Sequence, residues 1–192
     1  MVSSNPPTVK YFLLGLLLTA MPPSSSEREC LRDTFVSQNG WFGAKTTALQ
    51  PDASFRRYFR LERAGVSAML MDAPPMREQI TPFITIAHHL NELGLVAPEI
   101  YHHDKNNGFI LMEDFGDNTF TQLLNAGTNE PNLYRSAVDV LIRLHGNPAA
   151  IQINVPPYDR QTMIDESLLI PDWYYPAVRG FHVTTRIRQD YI

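Results

Sequence analysis

The sequence predicts an α+β fold in which a five-stranded antiparallel sheet, with one helix between its third and fourth strands, precedes a helical region. Five short segments with strand-like patterns lie between residues 44 and 113. The links between the second and third and between the fourth and fifth are too short for a parallel crossover. From residue 118 onward, apolar residues recur at helical spacing. We therefore expect a mixed lobe at residues 27–115 and helices over residues 116–192.

Residues 1–26 are expected to lie outside the fold as an N-terminal extension. The apolar run 11–20 follows Lys10 and resembles the hydrophobic region of a signal peptide. It is too short for a membrane span, which needs about 20 apolar residues. Met21 precedes a Pro/Ser-rich segment and is favoured as the natural start, with an exported form as the alternative.

The first predicted helix begins with a capping box formed by Ser26 and Glu29 and ends near Gly40. Strands are predicted over residues 44–50, 55–62 and 66–72. These segments alternate in polarity or are apolar and β-rich, and turn residues separate the last two.

The second predicted helix follows Thr81 as its cap and ends before Gly94. Its predicted apolar stripe comprises Phe83, Ile86, Ala87, Leu90 and Leu93. Two further strands, 99–103 and 109–113, are predicted to form a hairpin around the turn 104–108. Later helices are predicted to start at Pro131 and after Asp159.

The composition is that of an ordinary globular chain and excludes several functions. Of the 192 residues 44% are hydrophobic and 19% charged, and the net charge of -4 gives no attraction to nucleic acid or an anionic membrane. Cys30 is the only cysteine, so an internal disulfide is excluded and no zinc motif exists. We expect a cytoplasmic protein.

Several motifs occur in one order along the chain. They are Asp52-Ala-Ser-Phe-Arg-Arg-Tyr-Phe-Arg60, Met71-Asp-Ala-Pro-Pro75, Glu113-Asp-Phe-Gly-Asp117, Pro156-Pro-Tyr-Asp159 and Pro171-Asp-Trp-Tyr174. Together with the element order they resemble the aminoglycoside phosphotransferase-like family, and within it the bacterial kinases that phosphorylate the anomeric hydroxyl of N-acetylmuramate and N-acetylglucosamine. The resemblance implies a protein-kinase-like small lobe, ATP and magnesium as cofactors, and a cell-wall amino sugar as substrate in peptidoglycan recycling.

The resemblance also implies a nucleotide site built from two segments. The loop around residues 51–56 would cover the triphosphate, and the link 112–115 would correspond to the hinge that binds adenine. The implied nucleotide-binding residues are Asp52, Ala53, Ser54, Phe55, Arg56, Met112, Glu113, Asp114 and Phe115. Pro51 stands where the family usually has glycine, and it offers no N–H to a phosphate.

The cations near this loop are arginines. Arg56 and Arg57 should point to opposite faces of their strand, so at most one of them faces phosphate. Kinase-like proteins usually use a third-strand lysine paired with a helix glutamate. Here Met71 and Asp72 end that strand, and no residue is assigned the lysine's role. Glu78 and Glu92 are expected to be solvated helix charges.

Two motifs are misleading. Asp114-Phe-Gly116 spells the kinase metal-binding triplet but precedes the helical region, where it fits the hinge. His102-His-Asp104 with Asn106 and Asn107 is superficially like a kinase catalytic loop, but the spacing is wrong and a hairpin turn explains it better.

Phosphoryl transfer of this type needs a catalytic aspartate, and an asparagine and a second aspartate for magnesium. Residues 171–192 supply none of these, and the sequence stops resembling the family from about residue 177. We therefore expect no catalytic residue and no metal ligand in this chain. The leading hypothesis is an inactive N-terminal fragment of a sugar kinase. The alternative is a noncatalytic lobe that binds or regulates a partner.

Overall fold

The computed structural model describes residues 24–51 and 54–191. The mixed lobe contains helices α1 Ser25–Val36 and α2 Thr81–Glu92, and strands β1 Lys45–Ala48, β2 Arg57–Arg63, β3 Val66–Asp72, β4 Ile100–Asp104 and β5 Phe109–Met112. The helical region contains α3 Phe120–Asn125, α4 Glu130–His145, α5 Arg160–Leu169, α6 Tyr175–Arg179 and α7 Thr185–Gln189. A π turn Ser37–Trp41 follows α1, a 3-10 turn Pro148–Ile151 follows α4, and a π turn Ile170–Tyr174 joins α5 to α6.

The five strands form one antiparallel sheet in the order β1-β2-β3-β5-β4, with α2 in the connection from β3 to β4. The predicted fold class is confirmed. β3 lies at the centre, pairing Arg57 of β2 with Asp72 and Asp72 with Phe109 of β5. Three residues nearer the β2–β3 turn, Met69 pairs with both Arg60 and Met112.

One face of the sheet packs against α1. Phe35 and Val36 of α1 form a buried cluster with alternate residues of the inner strands. These strand residues are Phe59, Leu61, Ala68, Leu70, Phe109 and Leu111. The ring of Phe35 stacks on Phe109 with centroids 5.5 Å apart. Because side chains alternate across a strand, the intervening residues of β2, β3 and β5 face the other side.

That other face packs against α2 and the segment before it. Ile80 and Ile84 form a second buried cluster with Met71, Ile110 and Met112. Tyr58, Met69, Phe83 and Ile100 are partly buried against it. Both faces of the sheet are thus covered near its centre, which explains why β5 and the second half of β3 are almost wholly buried.

Two tight turns fix the antiparallel pairs. Ala64 and Gly65 connect β2 to β3 and both have positive φ, 50° and 81°, as a two-residue hairpin turn of type I′ requires. In the β4–β5 turn, the Asp104 carboxylate accepts hydrogen bonds from the N–H groups of Asn106 and Asn107 at 2.9 and 3.0 Å. The residue with positive φ in this second turn is Gly108, at 72°.

The structure corrects three local predictions. The capping box of α1 is formed by Ser24 and Glu27, two residues earlier than predicted, because Ser24 is the residue whose side chain and N–H both reach its N3 partner. Helix α2 has Ile80 at its cap position, without a side-chain cap, and Thr81 is its first helical residue.

The predicted apolar stripe of α2 is also displaced. Its buried side chains are Ile84 and Ala87, whereas Ile86 is 41% exposed. Phe83, Leu90 and Leu93 are partly buried, so the predicted stripe was wrong mainly at Ile86. Ile80, just before the helix, completes the buried face.

Helix α4 presents an apolar surface that no described residue covers fully. Tyr134, Val138 and Leu141 of this helix are each about half exposed. The helix is tied to the mixed lobe by Arg143, whose Nη2 donates to the carbonyl of Gly94 at 2.7 Å. Among the described residues, no helix is long and apolar enough to cross a membrane. The apolar run 11–20 lies outside the described residues.

Candidate nucleotide site

The link after β5 is held to the start of β4 by Glu113, through both its backbone N–H and its carboxylate. Met112 is buried in the sheet, and the N–H of Glu113 donates to the carbonyl of Glu99 at 2.9 Å. The Glu113 carboxylate in turn accepts from the N–H of Glu99 at 3.2 Å. Phe115, two residues further on, is 53% exposed. The N–H of Glu113 is therefore already engaged within the protein.

Arg60 of β2 anchors the link to the sheet. Its Nε donates to Oδ2 of Asp114 at 2.7 Å and its Nη2 to Oδ1 of the same carboxylate at 3.1 Å. Its two Nη atoms also donate to the two carboxylate oxygens of Asp117, both at 2.9 Å. The N–H of Gly116 completes the cluster by donating to Asp114 at 2.9 Å. The aspartate of this triplet thus fixes the link to the sheet.

The cluster changes the ionisation of Asp114. Burial opposes the charged form, but hydrogen bonds from Arg60, from the Gly116 N–H and from Ser67 outweigh it and hold the pKa of the carboxyl below its usual value. A depressed pKa in the folded state means that ionised Asp114 stabilises the fold above the unfolded-state pKa of about 3.9, and that this contribution disappears as pH falls through the folded-state pKa.

Replacing Asp114 by asparagine is therefore expected to lower the free energy of unfolding by about 1–3 kcal/mol at pH 7. The difference from wild type should shrink as pH falls below about 4. Urea unfolding followed by far-UV circular dichroism at several pH values measures both. Asp139→Asn, at an exposed position of α4, is the matched control and should leave stability nearly unchanged. A pH-independent difference would contradict the proposed role of the carboxylate charge.

The loop between β1 and β2 is closed at its base by the Leu49 N–H, which donates to the Tyr58 carbonyl at 2.9 Å. Asp52 and Ala53 lie outside the described residues. Beyond them, Ser54 Oγ accepts from the N–H of Arg56 at 3.2 Å. Phe55 is 56% exposed, and the Arg77 guanidinium lies 4.7 Å from its ring centroid. The Phe55 ring is therefore accessible from solvent.

Arg56 and Arg57 do point in opposite directions, as predicted. Arg57 donates through Nη2 to Oδ2 of Asp72 at 2.7 Å, on the α1 face. Arg56 donates through Nε to Oε2 of Glu78 at 3.2 Å, beside the start of α2. The expectation that Glu78 is a solvated helix charge was wrong, because it lies before α2 and its side chain is only 18% exposed.

A buried ion cluster beneath the loop was missed by the sequence reasoning. Asp72 is fully buried and accepts from Nε and Nη2 of Arg28 at 2.8 and 2.5 Å, in addition to Arg57. Arg28 also donates to the carbonyl of Asn107 at 2.8 Å and lies over the ring of Phe109. An aspartate inside an otherwise apolar strand was the available signal that a cationic partner must exist.

The loop and the link lie beside different parts of the sheet: the loop precedes Arg57 of β2, and the link follows Met112 of β5. Arg57 and Arg60 are three residues apart on β2, about 10 Å at the usual rise of a strand. The link also lies two strands away from β2, about 10 Å across the sheet. On the α2 face between them, Tyr58 and Met69 are only partly buried. The arrangement fits an elongated ligand with a flat apolar part near the link and an anionic part near Arg56.

The magnesium implied by the resemblance has no evident ligand set here. Among the described residues, no group of three or more His, Cys, Asp or Glu side chains is placed to hold a metal ion. Asp72, at the end of β3, and Asp114, in the link, are both held by arginines. No chemical step is therefore assigned to a metal in this part of the chain.

The fold is that of the small lobe of kinase-like phosphotransferases. The chain belongs to the phosphotransferase enzyme family, whose sequence profile matches residues 45–189. Among curated proteins, N-acetylmuramate/N-acetylglucosamine kinase of Pseudomonas putida is 38% identical over 159 residues, which cover 81% of this chain and 46% of that protein. The kinase of the same name from Pseudomonas aeruginosa is also 38% identical, over 148 residues, covering 76% of this chain and 43% of the relative. The kinase of that name from Caulobacter vibrioides is 33% identical over 151 residues. The chain thus spans less than half the length of the curated relatives it matches.

Proposed function

We propose that this chain is the nucleotide-binding part of an ATP-dependent phosphotransferase that acts on a sugar hydroxyl. The observation that supports this most directly is that the anchored link, residues 112–115, and the loop that carries Arg56 border the same sheet. The base would lie against the partly buried Tyr58 and Met69 beside the link, and the phosphates near Arg56. The sugar class follows the printed names of the relatives, N-acetylmuramate and N-acetylglucosamine. A role in peptidoglycan recycling in the cytoplasm belongs to the same proposal.

Adenosine and a nonhydrolysable ATP analogue are expected to bind at this surface. Titrating each into the isotopically labelled chain should shift the backbone amide resonances of residues 54–58 and 112–115. Little change is expected in α7, whose Arg188 pairs with Asp172 in the helical region. Ribose 5-phosphate, which lacks a base, is the control and should leave the link resonances in place. Shifts confined to α3–α7, or none, would contradict the proposed site.

The chain alone is proposed to transfer no phosphate to sugar, because residues 171–192 do not supply the catalytic aspartate and the metal-binding asparagine and aspartate that such a reaction needs. A radiometric assay with labelled ATP and N-acetylmuramate or N-acetylglucosamine checks this, with the Pseudomonas putida relative as the positive control. Sugar phosphate above a no-enzyme control would refute the proposal of inactivity, and the same result would support the substrate class.

The second candidate function is a noncatalytic lobe that binds a partner. The half-exposed apolar residues Tyr134, Val138 and Leu141 of α4 favour it, because apolar patches of this kind often mark interaction surfaces. Nucleotide titration separates the two candidates. A binding lobe without nucleotide function should give no shifts at the link, whereas the phosphotransferase lobe should give them.

A further inference from the structure

The ion pair between Arg56 and Glu78 joins the start of β2 to the segment before α2. The Arg56 Nε donates to the Glu78 Oε2 at 3.2 Å, and the two side chains are 32% and 18% exposed. Glu78 is fixed by the turn before α2, where its N–H donates to the Pro74 carbonyl at 2.9 Å. The carboxylate therefore holds the guanidinium from a hydrogen-bonded turn, while about a third of the arginine side chain stays exposed to solvent.

The neighbouring strand offers no cation on the same face. Extending the register that pairs Arg57 with Asp72 places Arg56 opposite Ala73. The α2-facing side chain next to that point on β3 is Met71, which is fully buried among Ile80 and Ile84. A lysine at the end of β3 would reach toward the same region. Arg56 brings a positive charge there from β2 instead.

Two other arginines, Arg57 and Arg28, are less well placed for an anion on this face. Arg57 is held by Asp72 on the opposite side of the sheet. Arg28 is buried and already donates to Asp72 and to the Asn107 carbonyl. In the part of the chain that the structure describes, the hydrogen bonds of the Arg56 side chain use Nε alone. Both Nη groups can thus donate to two oxygens of one phosphate.

We propose that Arg56 binds the phosphate groups of the nucleotide and that Glu78 positions it, so that this pair from β2 and the segment before α2 does the work of a third-strand lysine and helix glutamate. The proposal rests on the proposed nucleotide site. Glu78 acts through Arg56 and does not touch the phosphate, because a carboxylate and a phosphate repel each other.

The test compares the affinity for adenosine with that for a nonhydrolysable ATP analogue, both by isothermal titration calorimetry on the full chain. In wild type the analogue should bind more tightly than adenosine. Arg56→Met is expected to weaken binding of the analogue about tenfold or more, since it removes charged hydrogen bonds, and to change adenosine affinity less than about twofold. Arg56→Lys should restore part of the loss. Glu78→Gln should weaken the analogue less than Arg56→Met and spare adenosine.

Arg186→Met, on the short helix α7, controls for the removal of one positive charge and should leave both affinities unchanged. An equal loss of adenosine and analogue affinity in Arg56→Met would indicate a structural role and overturn the inference. Unchanged analogue affinity in that variant would overturn it as well. If the wild-type chain binds neither ligand, the proposed nucleotide site itself fails. If the wild-type chain binds both ligands but Arg56→Met affects them equally, only the role assigned to Arg56 and Glu78 fails.

Discussion

Replacing Asp72 by alanine is expected to lower the free energy of unfolding by about 3–5 kcal/mol, because the change leaves Arg28 buried without its carboxylate. Asp72 is fully buried and accepts hydrogen bonds from both Arg28 and Arg57. A domain of this size is stable by only about 5–15 kcal/mol, so the loss is a large share of the total. Urea unfolding monitored by tryptophan fluorescence measures the effect.

Two companion variants make this result interpretable. Asp33→Ala removes a carboxylate of α1 that is 72% exposed and should cost less than about 0.5 kcal/mol. The double variant Arg28→Met with Asp72→Ala removes the uncompensated charge and is expected to cost less than the sum of its single changes. A loss below about 1 kcal/mol in Asp72→Ala would contradict the importance assigned to the buried cluster.

The second large effect is expected from Gly108→Ala, which should destabilise the fold by about 2–5 kcal/mol. Gly108 has a φ of 72°, and a Cβ built on it would lie 1.9 Å from the carbonyl oxygen of Ala73. The N–H of Ala73 also donates to the Gly108 carbonyl at 2.8 Å, so the two backbones cannot easily separate. Thermal unfolding followed by circular dichroism provides the measurement.

Gly65→Ala is the matched control for the backbone term. Gly65 also has positive φ, at 81°, but a Cβ there would meet no atom within 4 Å. It should cost only the left-handed backbone penalty of about 1–2 kcal/mol. Equal losses in the two variants would show that contact with Ala73 adds nothing beyond the backbone conformation.

Much of the fold could be predicted from the sequence because its signals are local. The turn Ala64–Gly65 and the Asp104 to Gly108 hairpin require antiparallel neighbours, and the period of apolar residues changes from two to the helical value after the link. Where two neighbouring residues can both cap a helix, the predicted capping box was displaced by two residues. Ser24 and Ser26 can both cap a helix, and only the contacts of Glu27 with Ser24 decide between them.

The candidate site was predictable in outline and not in its interactions. The alternation of a strand predicts that Arg56 and Arg57 diverge, but it does not say which of them meets Glu78. Likewise, the position of Asp114 before the helical region predicts that it is not the metal-binding aspartate of kinases. Its partner Arg60 could not be predicted, because it lies 54 residues away in the chain. The family profile places the chain among phosphotransferases without specifying these contacts.

By itself the sequence determined the antiparallel order of strands, the helix between the third and fourth, and the resemblance to kinase-like phosphotransferases. Only the tertiary structure decided which charges pair: Arg28 with Asp72 across 44 residues, and Arg56 with Glu78 across 22. The physical reason is that turns and periodicity depend on near neighbours. The partner of a buried charge depends on which elements the sheet and its covering helices bring together.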